Sequence, residues 1–176
     1  MEHMQNADVV PTPGGYKVEV GSHTLIVPTK TAETLYSHWV THGFEGENSL
    51  TAAATIPDSI WLSANDRHNR FAVADRVKRL REMGSWVALA HKLPRSRGRG
   101  RWHLSAHIQY PTRGKADPTN ANPTVKALLD GFVDYGVFPD DNYKYVVGPD
   151  FRRAPGVCAR GTHVVTLVAT PITETS

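Results

Sequence analysis

Four residues in one segment have the types and the order that phosphate chemistry needs. They are Asp117, Lys126, Asp140 and Asp141, in "DPTNANPTVKALLDGFVDYGVFPDDN", residues 117–142. Carboxylates that converge without cysteine or a dominant histidine set suit a hard cation such as Mg²⁺. Such an ion keeps several waters and takes phosphate oxygens as the rest of its shell. A lysine beside it can hold the scissile phosphate or offset developing charge. Together these groups are the equipment of metal-assisted phosphodiester hydrolysis. An ordinary reading competes on spacing alone. Lys126 and Asp130 stand at i and i+4 and can pair on a helix surface. Asp117 before proline is a normal turn residue, and an Asp-Asp pair after a helix is a common acidic turn.

The elements that must bring these groups together follow from local patterns. Val125, Leu128, Leu129 and Phe132 recur at helical spacing. Asn122 or Thr119 is placed to cap this helix, Pro123 suits its first turn, and Gly136 its end. A helix of about twelve residues spans roughly 18 Å, so the flanking carboxylates meet only if their loops fold back. "RWHLSAHIQYP" alternates as a strand, with His103, Ser105, His107 and Gln109 on one face, read as the wetter one. Two histidines on one strand face could bind metal, but polar residues of a half-wet sheet are the commoner case. "NYKYVV" reads as a strand, "GPD" as a turn and "THVVTLVAT" as a last strand. Upstream, "SIWLSAND" reads as a buried strand entering a loop.

Between these lies a long amphipathic helix, "RFAVADRVKRLREMGSWVALAHK". Val73, Val77, Leu80, Met83 or Gly84, Val87 and Ala90 form its apolar stripe, and Pro94 stops it. The rest is basic. Arg95, Arg97, Arg99 and Arg101 follow in a Gly- and Ser-spaced run, expected to be mobile until it meets phosphates. From Ser59 onward the order is strand, helix, strand, helix, strand, strand. That predicts an α/β (α+β) fold, a small mixed sheet packed on two helices.

The N-terminal third is less informative. Residues 1 to about 15 read as a disordered start, "YKVEVGSHTLIVP" as a hairpin, "TAETLYSHWVTHGF" as a short helix and "EGENSLTAAAT" as a loop. The chain is therefore divided into an extension over 1–55 and a main domain over 56–176.

Composition bounds the partners. The 176 residues are 40% hydrophobic and 21% charged, which suits a globular domain and excludes a disordered one. No apolar run approaches the roughly 20 residues of a membrane helix, and "MEHMQNADVVPTPGG" has neither the basic nor the apolar region of a secretory signal. Cys158 is the sole cysteine, so no internal disulfide forms and a reducing, cytoplasmic compartment is expected. The net charge of +3 conceals a block: residues 65–101 carry eleven Lys/Arg against three acids, and residues 1–64 two against seven. A block of that kind usually meets a polyanion, here nucleic acid, although a solvated helix face is the plainer reading.

The ordered set of motifs resembles the RusA-type Holliday junction resolvases, a family of crossover junction endodeoxyribonucleases, and especially its phage-borne members. The family pattern is Asp-x-Asp-Asn before a helix, a lysine in its first turn, and Asp-Asp after a Gly-bearing turn, then a strand. Here the match is "DPTN", Lys126 in "VKALLDGF", "GVFPDDN" and "YKYVVGPD", with "WLSANDRHNR" upstream and "GTHVVTLVA" downstream. It covers roughly residues 59–172. The resemblance implies a RusA-like fold, an intertwined homodimer and a bacterial cytoplasm, in a host or phage-encoded setting. It implies symmetric nicking of four-way DNA junctions with Mg²⁺ or Mn²⁺, in recombination and repair. Residue by residue it implies Asp117, Lys126 and Asp141 as catalytic, and Asp117, Asp140 and Asp141 as metal ligands. The DNA contacts it implies are Asn65, Arg67, Arg70, Arg76, Lys78, Arg79, Arg95, Arg97, Arg99, Arg101 and Asn120. Two departures stand out. Thr119 occupies the position of the family's second aspartate, and the interval from Asn120 to Lys126 is longer. An alternative register aligns Asn120 and Asn122 with the two upstream aspartates and leaves Asp117 outside.

Overall fold

The computed structural model describes residues 7–12, 15–20, 23–27, 49–66, 70–95 and 100–172. Three short strands, β1 (Ala7–Thr12), β2 (Gly15–Val20) and β3 (His23–Val27), form an antiparallel sheet in that order. The hairpin expected at 16–28 is therefore present, and a third strand forms where a disordered start was expected. The short helix expected at 31–44 lies outside the described residues.

The second sheet has four strands in the order β4 (Leu50–Pro57), β7 (Thr162–Ile172), β5 (Arg101–Gln109) and β6 (Val146–Arg153). The β4–β7 and β7–β5 pairings are antiparallel and β5–β6 is parallel, so the sheet is mixed. Helices α1 (Arg70–Ala90) and α2 (Asn122–Tyr135) share one apolar core with this sheet. The fold class is the expected α+β one. The core rows follow the strand alternation: Ala52, Ala54 and Ile56, then Leu167 and Val165, then Leu104, Ala106 and Ile108.

Several elements differ from the sequence reading, each for a local reason. "LTAAATIP" is a strand and not a loop, and it runs across the 55/56 division. Three consecutive alanines give little strand preference, but alternate residues pack on the helices and pairing with β7 decides. "SIWLSAND" is not a strand. Its backbone groups go elsewhere: Ile60 N and Trp61 N bond Pro57 O, and Leu62 N and O both bond the Thr124 hydroxyl at 2.9 Å. β6 begins at Val146 and runs through Gly148, Pro149 and Asp150, opposite an irregularity in β5 between His103 and Ser105. The Ser105, His107 and Gln109 face is not wet; all three are buried. Ser105 Oγ lies 3.2 Å from His107 Nε2, and Gln109 Nε2 donates to Pro155 O at 2.9 Å.

Both helices end in the same way. In α1, Lys92 takes a left-handed φ of 52°, with Lys92 N bonding Leu89 O and Leu93 N bonding Ala88 O. The helix thus closes before Pro94 is reached, and Ala90 is exposed, outside the stripe. In α2, Gly136 at φ 95° does the same, with Val137 N bonding Phe132 O. The start of α2 is not capped by Asn122 or Thr119. A 3₁₀ turn (Pro118–Ala121) leads into it, and Asp117 caps that turn. The two helices cross in close contact at Gly84 and Gly131: a Cβ on Gly84 would lie 2.2 Å from Leu128 O, and one on Gly131 2.1 Å from Arg81 O.

Candidate functional site

Lys126 sits in the second turn of α2, and its side chain is half exposed. Its Nζ donates to Asp130 Oδ1 at 2.9 Å and also to Asp141 Oδ2. The competing readings of this lysine are thus both realised: it pairs at i+4 and it reaches the Asp-Asp motif. The chain after Gly136 makes this possible by turning back, with Val137 and Phe138 buried as anchors. Asp140 braces the loop. Its Oδ1 accepts from Asp141 N at 2.8 Å and its Oδ2 from Asn142 Nδ2 at 2.5 Å. Desolvation works against the Lys126 charge, but the hydrogen bonds to Asp141 and Asp130 outweigh it and raise its pKa. The same hydrogen bond from Lys126 is the main reason the Asp141 carboxyl lies below the usual carboxylate range.

Asp117 stands apart from this cluster, at the end of the loop that leaves β5. Its Oδ1 accepts from Thr119 N at 3.0 Å, and that bond, then one from the Thr119 side chain, lowers its pKa. Thr119, which occupies the position of the resembled family's second aspartate, thus bonds the Asp117 carboxylate. The loop is stapled from β6: Arg153 Nη1 donates to the carbonyls of Gly114 and Ala116, and Nη2 to Thr112 O at 2.9 Å. Tyr110 Oη donates to Asp117 O at 3.2 Å. Burial pushes the Tyr110 phenol up. Beside Asp117 is a cavity of about 360 Å³ lined by Trp61, Asn65, Tyr110, Lys115 and Asn120, with Ser63, Ala116 and Ala121 completing it. Ala64 N donates to Asn120 O at 2.8 Å, which ties the loop bearing Asn65 to the 3₁₀ turn.

Asn65, Asp117 and Asn120 are thus brought together, and so are Lys126, Asp140 and Asp141, as two groups. Among the described residues no set of three His, Cys, Asp or Glu side chains is gathered to hold a metal ion. The donors have hard-cation chemistry, but the Asp141 carboxylate is turned onto Lys126 and that of Asp117 onto Thr119. The three carboxylates expected as ligands do not converge in this conformation.

The basic residues divide by role. Lys78 and Arg79 are exposed on α1, with no ion pair among the described residues. Arg70 lies over the exposed Phe71 ring at 5.3 Å, and Arg95 over Tyr135 at 4.6 Å. Arg101 donates from Nε to Tyr143 O at 3.1 Å. Arg76 donates to Trp61 O at 3.1 Å, so it also holds the loop that carries Asn65. Arg67, Arg97 and Arg99 lie outside the described residues. The sequence reading missed Trp61, Tyr110, Lys115 and Arg153. Their only signal was an aromatic or basic residue next to a loop, which periodicity does not distinguish from core or surface. No helix among the described residues is long and apolar enough to cross a membrane. No protein-family model and no curated protein sequence matches the chain.

Proposed function

We propose that the protein is a metal-dependent, structure-specific DNA endonuclease that acts as a homodimer on four-way junctions in recombination and repair. The observation that carries this reading is Lys126 held by Asp141, fifteen residues away, with Asp140 bracing the same loop. A surface lysine needs no such partner. An ammonium fixed among carboxylates at a helix end, near a basic helix, is placed to meet a phosphate. Mg²⁺ or Mn²⁺ would supply an activated water and charge neutralisation at the phosphate. To hold it, the carboxylates of Asp117, Asp140 and Asp141 would have to turn off Thr119, Asn142 and Lys126 and converge. Lys126 stays cationic through the neutral range, since its pKa is raised, and steadies the charge gathering on the phosphate oxygens. In the reaction a water oxygen bonds to phosphorus and the P–O3′ bond breaks. A proton passes to the 3′ oxygen, leaving 5′-phosphate and 3′-hydroxyl ends. The exposed cations of α1 hold backbone phosphates on either side. A two-fold dimer matches the two-fold symmetry of the junction and offers one site to each of two opposing strands.

One observation favours a second reading, a junction-binding module with weakened or lost catalysis. Thr119 stands where the resembled family has a carboxylate, and it engages Asp117. The deciding experiment is nicking of a labelled four-way junction with Mg²⁺, with Mn²⁺ and with chelator. The endonuclease reading expects paired nicks with either ion and none with chelator. Tight junction binding without nicks in either ion would select the binding module. Equal affinity for a junction and a linear duplex at fixed salt would defeat both.

A further inference from the structure

The cavity beside Asp117 is framed by packed rings and offers polar groups that the fold itself does not use. Trp61 and Tyr110 meet edge to face, with ring centroids 6.5 Å apart. His163 stacks on Trp61 at 4.0 Å, and its Nδ1 lies 3.0 Å from Asp58 Oδ1, so the indole plane is fixed from behind. Arg153 lies 5.0 Å over the Tyr110 ring. Asn65, Asn120 and Lys115 also line the cavity. The backbones of both asparagines are engaged: Asn65 N to Ser63 Oγ at 3.4 Å, Asn120 N to Asp117 O at 3.1 Å and Asn120 O to Ala64 N at 2.8 Å. Their carboxamides make no hydrogen bond, and Lys115 no ion pair, among the described residues.

We propose that this cavity is a nucleobase pocket that takes one nucleotide turned out of the stack at the crossover of branched DNA. The base packs against Trp61 and Tyr110, its edge meets the carboxamides of Asn65 and Asn120, and Lys115 holds its phosphate. At about 360 Å³ the cavity lies in the size range of small-molecule sites and admits no duplex. A carboxamide presents a donor and an acceptor in one plane, which is the pattern of a base edge. Any base offers a π-face to an aromatic ring. An anion site would need the lysine but neither ring. Drawing out a base costs least where its stacking is already interrupted, as at the crossover of a branched DNA. The proposal rests on the DNA reading above and names the part of the DNA that this cavity accepts.

The test is an NMR titration of the full chain with each of the four deoxynucleoside 5′-monophosphates, and with deoxyribose 5-phosphate as a base-free probe. The side-chain amides of Asn65 and Asn120 and the Trp61 indole N–H are followed. Saturable shifts are expected there from at least one mononucleotide, with affinities that differ between bases, and none from the sugar phosphate. Asn120→Ala and Asn65→Ala should each weaken the preferred base about three- to tenfold, the worth of one hydrogen bond. The backbone spectrum of the sheet should be unchanged in both variants. Shifts of equal size from the sugar phosphate, no shifts from any probe, or unaltered base selectivity in both variants would overturn the pocket. Base-selective shifts in a protein that nicks no junction would remove the nuclease and leave the pocket. Nicking without base-selective shifts would do the reverse.

Discussion

Lys126 makes two hydrogen bonds, and each answers one of the two readings its position allows: the surface pair with Asp130 and the link to Asp141. Asp141→Asn keeps the shape but removes the charge that Lys126 meets. The variant is expected to lose nicking of a four-way junction while its junction affinity, measured by gel shift, stays near the parent's; equal cutting would refute the assignment. A pH effect belongs to the same pair. The folded-state pKa of Asp141 is depressed by Lys126, so its stabilisation is present above the unfolded carboxyl pKa of about 4 and is lost as pH falls through the lower folded value. Lys126 is the converse: its folded pKa is raised, so its share is present at neutral pH and is lost only on strongly alkaline titration. Urea midpoints between pH 5 and 2 should fall in the parent and fall less steeply in Asp141→Asn. Residue types at the Lys126 site were legible because a helix fixes i and i+4. The Thr119 hydroxyl on Asp117 was not, because it depends on a 3₁₀ turn that no side-chain pattern announces.

Thr124 joins two elements. Its hydroxyl donates to Leu62 O and accepts from Leu62 N, both at 2.9 Å and both buried. Thr124→Val keeps the shape and leaves those two backbone groups unpaired. Urea unfolding should show a loss of about 1–3 kcal/mol, and DNA binding through the Asn65 loop should weaken with it. The helix crossing is tighter still. Gly131→Ala places a methyl 2.1 Å from Arg81 O and 2.8 Å from the Gly84 Cα. Both are backbone atoms, so the helices must part, and a cost of about 1–3 kcal/mol or more is expected in the same measurement. The exposed, screened Arg81–Asp134 pair beside it adds at most about 1 kcal/mol, although its hydrogen bonds raise the Arg81 pKa. At this scale the helices were legible from their 3.6 period, and the α2 end from Gly136. The loop at 58–66 was misread because Ile60 and Leu62 are buried at strand-like spacing. Burial of alternate residues does not reveal whether a ladder or a threonine takes the backbone bonds. The polar side of β5 was misread because alternation separates two faces but does not say which of them is covered.

Across the whole molecule, positive charge gathers on residues 65–101, and α1 carries much of it in the open. Junction affinity should fall steeply with salt, and Lys78→Ala and Arg79→Ala should each reduce the slope of log K against log[salt] by about 1. Arg76→Ala should cost more than either, since that guanidinium also bonds Trp61 O and holds the Asn65 loop. By itself the sequence determined what local periodicity and composition can carry. That was the order helix, strand, helix, strand, strand from residue 70 onward, though not the strand expected at 59–66, together with the buried stripe of α2, the basic block and the candidate residues of the site. The tertiary structure alone decided how those residues divide. It joined Lys126 to Asp141, moved Asp117 to the far end of β5 beside Asn65 and Asn120, and left an open cavity between them and two aromatic rings. The physical reason is sequence distance. A helix or strand period relates residues a few positions apart, whereas Asn65, Tyr110 and Asn120 meet only because sheet pairing, the Thr124 clamp and the Arg153 staple bring three separate loops together.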